Sequence, residues 1–431
     1  MSSCNQLLRT LCSGKGDRAL LPVYAPDGDI PALEAARRRA IHVVESFTAQ
    51  FGDAPSAALF SGPGRTEIGG NHTDHQHGHV LCGSVDLDTL ACAAPNGLNV
   101  VRVISEGYSP VEVSLDSLPP REEEQNTSAA LVRGVAARLT ELGYPLSGFD
   151  AYAVSSVIAG AGLSSSASFE VLLGNIFNRF FCGGGLDSIT VAKVGQYAEN
   201  VYFGKPCGLM DQMGSSVGGA VAIDFHDPAN PVVDPVDYDF GRSGHALCIV
   251  DTGSCHADLT GDYADITREM GAVAAHFGKR FLRDVPEKDF RAALPVLRSK
   301  CGDRAVLRAM HFYTDDRRAV QEAQALKDGD FDRFLALVNE SGLSSELLLQ
   351  NIWSPGAPKE QAVSLALTIG KELLDGKGAI RVHGGGFAGT IQAFVPNATL
   401  AAFKSGMEAV LGEGKCHILR IRPQGGCTVM E

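Results

Sequence analysis

Hydrophobic residues recur with helical spacing directly after a serine-rich stretch in the first half of the chain. They fall at i, i+3, i+4, i+7, i+8 and i+11, on one face of a helix: Phe169, Leu172, Leu173, Ile176, Phe177 and Phe180. Residues 149–158, before the serines, are apolar and rich in β-branched side chains, which is typical of a strand. The sequence therefore predicts a strand, a turn of glycines and serines, and a helix, in that order.

The rest of the chain shows a mixture of helical and strand patterns. Helices are predicted at 32–51, 126–142, 186–201, over much of 262–350, and at 359–375. Strands are predicted as short segments with turns over 57–110, and at 246–250, 379–383, 390–395 and 417–422, with a helix before the last. Because residues 225–240 are rich in Asp and Pro and interrupt the pattern, we predict an α+β chain with one half at 1–240 and the other at 241–431.

Composition and charge exclude several classes of protein. The 431 residues include an ordinary 45% of hydrophobic residues, and the formal net charge is −13, so a broad nucleic-acid-binding surface is not expected. No apolar run reaches the length of a membrane span, and the first residues lack the pattern of a secretory signal. The 11 cysteines are odd in number and form no C-x-x-C pair, which favours a reducing compartment. We expect a cytoplasmic protein that is a monomer or a weak oligomer.

Residues 160–168, Gly-Ala-Gly-Leu-Ser-Ser-Ser-Ala-Ser, form a candidate phosphate-binding loop. The first amide groups of a helix have no internal partner and the helix dipole is positive there, while glycines let a bulky anion approach the backbone. A simpler interpretation is a serine N-cap after a tight turn. The loop is neither a Walker A motif nor G-x-G-x-x-G, because Ser165 takes the place of the third glycine. Three consecutive serines at a strand-to-helix junction favour phosphate binding.

Residues 62–79 combine glycines with four histidines between positions 72 and 79. Such a density of imidazoles suggests a metal site, but the spacing H-x-x-H-x-H-x-H lacks the i, i+4 pair of a zinc-binding helix. The same segment contains Arg65, Asn71 and Asp74, which offer fixed donors and acceptors for a polyol. Of the two interpretations, the polyol is favoured.

Two further segments contain candidate catalytic or binding residues. Asp211 lies in a stretch rich in Gly and Pro, where an aspartate is usually a turn former but can also act as a catalytic base. Residues 381–389, Arg-Val-His-Gly-Gly-Gly-Phe-Ala-Gly, place consecutive glycines after an apolar strand. Such glycines indicate either a flexible turn or a close approach of the backbone to another group.

Taken in order, the four segments resemble the motifs of the sugar-kinase branch of the galactokinase, homoserine kinase and mevalonate kinase superfamily, most closely those of galactokinases. Residues 64–75 resemble the signature G-R-x-N-x-I-G-E-H-T-D-Y, and residues 162–168 match the phosphate loop. Residues 206–212 resemble P-C-G-I-M-D-Q, and residues 384–389 resemble G-G-G-F-G-G. The resemblance implies a two-domain kinase, with an N-terminal half similar to domain 2 of ribosomal protein S5, a ferredoxin-like C-terminal half, and the active site between them.

The resemblance also implies a role for each matched residue, with ATP as co-substrate and Mg²⁺ as the metal. Asp211 would accept the proton of the sugar's anomeric hydroxyl or hold that hydroxyl by its charge, and Arg65 would pair with Asp211 and steady the transferring phosphoryl group. Ser166 and Glu199 would bind Mg²⁺. The residues implied for the sugar are Arg65, Asn71, His72, Asp74, Gly208, Asp211 and Tyr263. The residues implied for ATP are Gly160, Gly162, Leu163, Ser164, Ser165, Ser166, Ala167, Gly385 and Gly386.

The sugar-facing loop departs from the family motif, whereas the catalytic and metal positions are intact. Asn71 replaces the glutamate that contacts the sugar near its C6 hydroxyl in galactokinases. Glu67 replaces an asparagine, Gly69 an apolar residue and His75 the tyrosine. We expect ATP-dependent phosphorylation of the anomeric oxygen of an aldohexose, with galactose favoured. Restoring a glutamate at position 71 should then tighten galactose binding.

Two alternatives stay open at this stage. Loss of the carboxylate at position 71 removes repulsion toward an acidic C6, so a galacturonate-type sugar is an alternative acceptor, as is an N-acetylated or 6-deoxy sugar. A non-catalytic sensor of ATP and sugar is a different class of function. Such a sensor would be expected to have lost the phosphate loop or Asp211, and both are present.

Overall fold

The computed structural model describes residues 1–158, 160–205, 207–254 and 259–431, and within them the chain forms fourteen α-helices and twelve strands. The helices are α1 (Cys4–Cys12), α2 (Asp17–Tyr24), α3 (Ile30–Phe51), α4 (Ser128–Glu141), α5 (Ser165–Phe181), α6 (Ser188–Tyr197), α7 (Met210–Val217), α8 (Thr260–His276), α9 (Glu287–Ala292), α10 (Leu294–Cys301), α11 (Asp303–Lys327), α12 (Phe331–Ser344), α13 (Ala362–Leu374) and α14 (Leu400–Leu411). The strands are β1 (Ala58–Gly69), β2 (His79–Pro95), β3 (Val100–Ser105), β4 (Val111–Ser114), β5 (Phe149–Ser155), β6 (Ala220–Asp224), β7 (Val232–Val236), β8 (His245–Asp251), β9 (Ala379–His383), β10 (Thr390–Pro396), β11 (Cys416–Leu419) and β12 (Cys427–Met430).

The first sheet has eight strands in the order β12-β1-β2-β5-β3-β4, with β6 beside β2 and β7 beside β6. Its strand pairs are antiparallel except for β3 and β5. The last strand of the chain, β12, pairs with β1, where Thr428 lies opposite Phe60. The C-terminal segment therefore completes a sheet built mainly from the first half. The division of the chain near residue 240 stays a prediction.

β1 and β2 are long strands of 12 and 17 residues, so the prediction of short strands over 57–110 was wrong for them. Glycines and a proline at 62–64 interrupt the hydrophobic alternation on which that prediction relied. In the structure a register shift between Pro63 and Arg65 absorbs this interruption as a bulge, and the pairing with β2 continues on the other side. Arg65 is the first paired residue after the bulge.

Helices cover both faces of the first sheet. Successive side chains of a strand point to opposite faces, and along β1 Phe60 contributes to the core formed with α4 and α5, while Leu59 contributes to the core formed with α1 and α3. Along β2, Ala91 contributes to the core formed with α4 and α5, and Leu90 to the core formed with α1 and α3. The first sheet is therefore a central layer, with α5 and its serine-rich start on one side.

The second sheet is antiparallel, in the order β11-β8-β10-β9. Cys248 and Val250 of β8 pack with α13 and α14, while Leu247 and Ile249 face the first sheet and α12. A hydrophobic cluster that includes Ile68, Leu81, Leu247, Ile249, Phe334 and Leu419 joins the two sheets. This shared core places the glycine motif that follows β9 next to the end of β1. None of the helices among the described residues is long and apolar enough to cross a membrane.

Candidate active site

An arginine and an aspartate form the centre of the candidate site. Arg65 donates from Nε to Asp211 Oδ1 at 2.8 Å, and its Nη2 lies 2.6 Å from the same oxygen. The Ser164 hydroxyl donates to the other oxygen, Asp211 Oδ2, at 2.8 Å. The sequence placed Asp211 in a loop, but it is the second residue of α7, and 20% of its side chain remains exposed. The carboxylate is therefore fixed on two sides and reaches solvent on another.

The charge of Asp211 is set by its neighbours. Burial by itself raises the pKa of this carboxyl, but the Arg65 charge, hydrogen bonds from Arg65 and Ser164, and the Lys205 charge together hold the pKa below its usual value. Both Asp211 and Arg65 are thus ionised at neutral pH. A carboxylate of low pKa is a weak base, so Asp211 is better suited to orienting a hydroxyl by charge than to accepting its proton.

The serine-rich loop is attached to this pair. Arg65 donates from Nη1 to the carbonyl of Gly162, and its backbone amide donates to the carbonyl of Leu163 at 3.0 Å. Gly162 has φ +69°, and a Cβ there would lie 2.9 Å from His383 Nδ1, so both the backbone angle and the space favour glycine. The predicted strand, turn and helix are confirmed as β5, the loop and α5.

The start of α5 lies beside Asp211. Ser164 has φ +54° and turns the chain into the helix, whose first turn contains Ser165, Ser166 and the buried Ala167. Gly160, at φ +78°, is exposed at the mouth of the loop. The unpaired amides of this helix start therefore lie next to the carboxylate that would hold an acceptor hydroxyl. Ala159 is outside the described residues.

Glu199 and Ser166 form a second polar centre near the first. α6 ends in a π-helical turn, Ala198–Phe203, which carries the fully buried Glu199. Ser166 Oγ donates to Glu199 Oε1 at 3.0 Å. Two adjacent oxygen ligands of a Mg²⁺ ion, each about 2.1 Å from the metal, are separated by roughly this distance, so these hard oxygen donors fit the metal that the motifs imply.

Glu170, one helical turn after Ser166, is a site residue that the sequence analysis missed. Gln212 donates from Nε2 to Glu170 Oε2 at 2.9 Å and to Glu199 Oε2 at 2.7 Å, and so bridges the two carboxyl groups. Burial, followed by repulsion from Glu199, raises the pKa of Glu170 well above its usual value. Glu170 is therefore protonated more readily in the folded protein than an ordinary carboxyl group. Its i+4 spacing from Ser166 was the one sequence signal that could have suggested it.

His72 links the sugar-facing loop to the glycine motif of the second half. Its Nε2 lies 2.9 Å from the carbonyl oxygen of Gly385. Burial lowers the pKa of His72 to about 3, so the ring is neutral, and Nε2 carries the proton because it faces a carbonyl. Tyr263, near the start of α8, donates through its hydroxyl to the next carbonyl, that of Gly386, at 2.9 Å. The glycine motif is thus fastened to two of the predicted sugar contacts.

Asp74 and Gly208 face each other at a cavity of about 250 Å³. A Cβ on Gly208 would overlap Asp74 Oδ2, so this close approach requires glycine. His75 and His77 line the same cavity. The structure therefore brings these two predicted sugar contacts together at an open space. Pro206, part of the motif that contains Gly208, lies outside the described residues.

Asn71 is fully buried. Its Nδ2 donates to Glu67 Oε1 at 2.9 Å and to the Gly384 carbonyl at 2.7 Å. Its Oδ1 accepts from Ser345 Oγ at 3.2 Å and Asn351 Nδ2 at 2.9 Å. An amide offers two donor hydrogens and two acceptor lone pairs, and all four are used here. A contact between Asn71 and a sugar would require one of these bonds to be exchanged.

The histidines of the same loop have separate partners. His77 stacks on Phe281, with ring centroids 3.6 Å apart. His79 lies between Asp316, at 3.0 Å from Nδ1, and Asp224, at 3.2 Å from Nε2. Across the part of the chain that the structure describes, no three His, Cys, Asp or Glu side chains converge in a way that could hold a metal ion. The interpretation as a loop of polar contacts therefore describes these imidazoles better than a shared metal.

Comparison with known proteins agrees with this geometry. The galactokinase galactose-binding signature matches residues 45–95, and the N-terminal domain of GHMP kinases matches residues 130–219. A galactokinase of Streptomyces coelicolor is 31% identical over 373 residues, which cover 85% of this chain and 91% of that protein. The chain belongs to the galactokinase family. It is an ATP-dependent sugar 1-kinase, a phosphotransferase with an alcohol group as acceptor, as the motifs predicted.

Solved structures share the fold. A galactokinase of Lactococcus lactis complexed with galactose superposes with a TM-score of 0.75 at 23% identity, covering 89% of this chain and 98% of that one. The mevalonate kinase of Methanococcus jannaschii superposes with a TM-score of 0.60 at 14% identity, covering 85% and 98%. The predicted two-domain α+β kinase fold is confirmed.

Proposed function

We propose that this galactokinase family member transfers the γ-phosphoryl group of ATP to the anomeric hydroxyl of galactose. The observation that supports this most is the position of Asp211, which Arg65 and Ser164 hold beside the start of α5. An acceptor hydroxyl bound at Asp211 would lie next to amides suited to phosphate. The two reacting groups would then meet without a large rearrangement.

Phosphoryl transfer requires alignment and neutralisation of spreading charge more than covalent help from the protein. The ionised Asp211 orients the hydroxyl, whose oxygen bonds to phosphorus as the bond to ADP breaks and whose proton passes to an oxygen of the transferred phosphoryl group. Arg65 stands next to that oxygen and offsets negative charge on the phosphoryl group. The amides at the start of α5 offer donors to the remaining phosphate oxygens.

We assign Mg²⁺ to Ser166 and Glu199. Their oxygens are of the type and separation that this metal needs, and Ser166 lies in the first turn of α5, directly after the serine-rich loop. When bound, the metal would neutralise phosphate charge. The protein contributes the position of these two oxygens, which the π-helical turn and the first turn of α5 fix.

Galactose is preferred to a uronate for a structural reason. The alternative of an acidic sugar rested on Asn71 facing C6, and the Asn71 amide is saturated by partners within the protein. The alternative function, a non-catalytic sensor of ATP and sugar, is not supported either, because Arg65 and Asp211 are both present and form an ion pair. We also propose a cytoplasmic location and a monomeric or weakly associating state. Light scattering would test the proposed oligomeric state.

The test is an ADP-release assay with ATP and four acceptors: galactose, galacturonate, N-acetylgalactosamine and 6-deoxygalactose. Galactose is expected to support turnover, with phosphate attached at C1 in the product as seen by ³¹P NMR. The D211N variant serves as a folded control of low activity. Turnover of galacturonate without galactose would contradict the choice of sugar, and turnover of none would contradict the proposed acceptor class.

A further inference from the structure

Lys205 is a cation of the candidate site that has no role in the mechanism above. Its Nζ lies 3.2 Å from Glu199 Oε1. The Lys205 side chain is 58% exposed, whereas the Glu199 side chain is completely buried, so the lysine reaches inward from the surface. The Lys205 charge also acts on Asp211. Lys205 therefore pairs with Glu199 and also acts through its charge on Asp211, the other acidic group of the mechanism.

Among the described residues, four donate hydrogen bonds to the Glu199 carboxylate, and Lys205 is the charged one of these four. Ser166 and Lys205 donate to Oε1, at 3.0 and 3.2 Å, while Gln212 and Cys207 donate to Oε2, at 2.7 and 3.2 Å. The ammonium thus shares Oε1 with Ser166, on the side of Glu199 that offers two oxygens to a hard cation. A metal that bound these two oxygens would compete with Lys205 for Glu199.

The charges of the site explain where Lys205 would go. Arg65 and Lys205 balance Asp211 and Glu199 as the structure stands. A divalent cation at Glu199 would repel the ammonium and bring the phosphates of a nucleotide with it. Lysine is a compact charge on a flexible stem, and phosphate oxygens are strong acceptors for it.

We propose that Lys205 is an exchangeable counterion, which neutralises Glu199 in the empty site and contacts the nucleotide phosphates once a metal occupies Glu199. The inference rests on the proposed function, because it requires a metal–nucleotide complex bound at Ser166 and Glu199. It assigns Lys205 to phosphate binding, beyond the two loops that the motifs imply for ATP.

The test is calorimetric binding of ADP, with Mg²⁺ and in excess EDTA, to the wild type, Lys205→Met and Lys205→Arg. With Mg²⁺, Lys205→Met should weaken ADP binding by at least about tenfold, since a charge-assisted hydrogen bond to the phosphates is lost. In EDTA the loss should be clearly smaller, because Lys205 is then paired with Glu199 rather than with the phosphates. Lys205→Arg should retain most of the affinity for ADP with Mg²⁺. Lys205→Met should also reach half-saturation at a lower Mg²⁺ concentration when Mg²⁺ is titrated into the nucleotide-free protein, because the competitor for Glu199 is gone.

Lys371→Met is the matched control. Lys371 forms an ion pair of similar length, 3.3 Å, with Glu346, and 52% of its side chain is exposed, but it lies on α13 away from the site. It should leave both affinities unchanged. Equal losses with and without Mg²⁺ in Lys205→Met, or no loss with Mg²⁺, would overturn the counterion role while leaving the proposed function intact. A wild type that binds ADP in neither condition would overturn both.

Discussion

Asn71 donates a hydrogen bond to Glu67 at 2.9 Å, and the two residues carry the glutamate and the asparagine of the galactokinase motif in exchanged order. Glu67 stands where the motif has asparagine, and Asn71 stands where it has glutamate. Arg381 Nη2, from the second sheet, lies 2.6 Å from Glu67 Oε1. The exchange thus moves the carboxylate from position 71 to a position where the second half of the chain supplies its counterion.

Glu67→Asn, Asn71→Glu and the double variant should show strong energetic coupling. Asn71→Glu alone buries a second carboxylate beside Glu67, and Glu67→Asn alone leaves Arg381 buried without its partner, so each should cost about 3–5 kcal/mol. The double variant keeps one amide and one carboxylate in contact, so its cost should fall below the sum by about 1–3 kcal/mol. Urea unfolding of the four proteins at pH 8, above the Glu67 pKa that burial raises to about 7, measures this. Additive costs would contradict the direct contact.

The sequence alone leads to the opposite expectation for Asn71→Glu, namely tighter binding of galactose. The reason is that, apart from Glu67, the partners of Asn71 lie far away along the chain: Asp315 is 244 residues distant and Gly384 is 313. No local pattern reports such contacts. Arg65 and Asp211 could be predicted because each lies in a contiguous motif whose residues share one function.

Among the helices, too, local sequence patterns predict some elements, whereas others depend on contacts with distant residues. α3 and α5 have long hydrophobic faces, and their existence follows from periodicity. α7 has eight residues, among them Gly214 and two serines, and forms because Met210 and Met213 are buried against β2 and β6. Tertiary packing of this kind overrides weak local propensity, and it is what positions Asp211.

Asp211→Asn should reduce turnover by at least about 10² while the protein stays folded. An asparagine keeps the shape and can still accept from Arg65, but it loses the charge that orients the acceptor hydroxyl. Steady-state ADP release measures the effect, with circular dichroism as the check on folding. Asp303→Asn, which breaks a surface ion pair with Arg298 of 2.6 Å, is the control and should retain wild-type turnover. Near-normal turnover of a folded Asp211→Asn protein would remove Asp211 from the mechanism.

Glu199→Gln should weaken the dependence of turnover on Mg²⁺ more than Ser166→Ala does. A carboxylate is a stronger ligand for a hard cation than a neutral hydroxyl, so the Mg²⁺ concentration for half-maximal turnover should rise by at least about tenfold in Glu199→Gln. Ser166→Ala should show a smaller rise. Titration of Mg²⁺ at saturating ATP and sugar measures both. The metal assignment would be wrong if Glu199→Gln turned over at the wild-type Mg²⁺ requirement.

His383 should make the protein less stable in acid. Burial, aided by the charges of Arg65 and Arg381, lowers the pKa of His383 to about 3, whereas the unfolded chain titrates near 6.5. Between these values the unfolded state binds the additional proton, so stability falls as the pH drops below 6.5. One such group removes about 2 kcal/mol between pH 7 and pH 5. In His383→Gln the difference in unfolding free energy between these two pH values should be smaller by that amount. An unchanged difference would show that His383 is not held neutral.

Glu170 should make the protein less stable as the pH rises, whereas His383 makes it less stable as the pH falls. Because burial and Glu199 raise its pKa, the folded protein holds a proton that the unfolded chain releases above about pH 4.5. The stabilisation that Glu170 contributes is therefore fully present at low pH and declines as the pH rises. Glu170→Gln is neutral at every pH and can still accept from Gln212, so its unfolding free energy relative to wild type should improve as the pH rises above about 4.5. Glu413→Gln, at an exposed position, controls for the loss of a charge. Parallel stability curves for Glu170→Gln and the wild type would mean that Glu170 is ionised in the fold, and that the carboxyl pair bridged by Gln212 carries two charges rather than one.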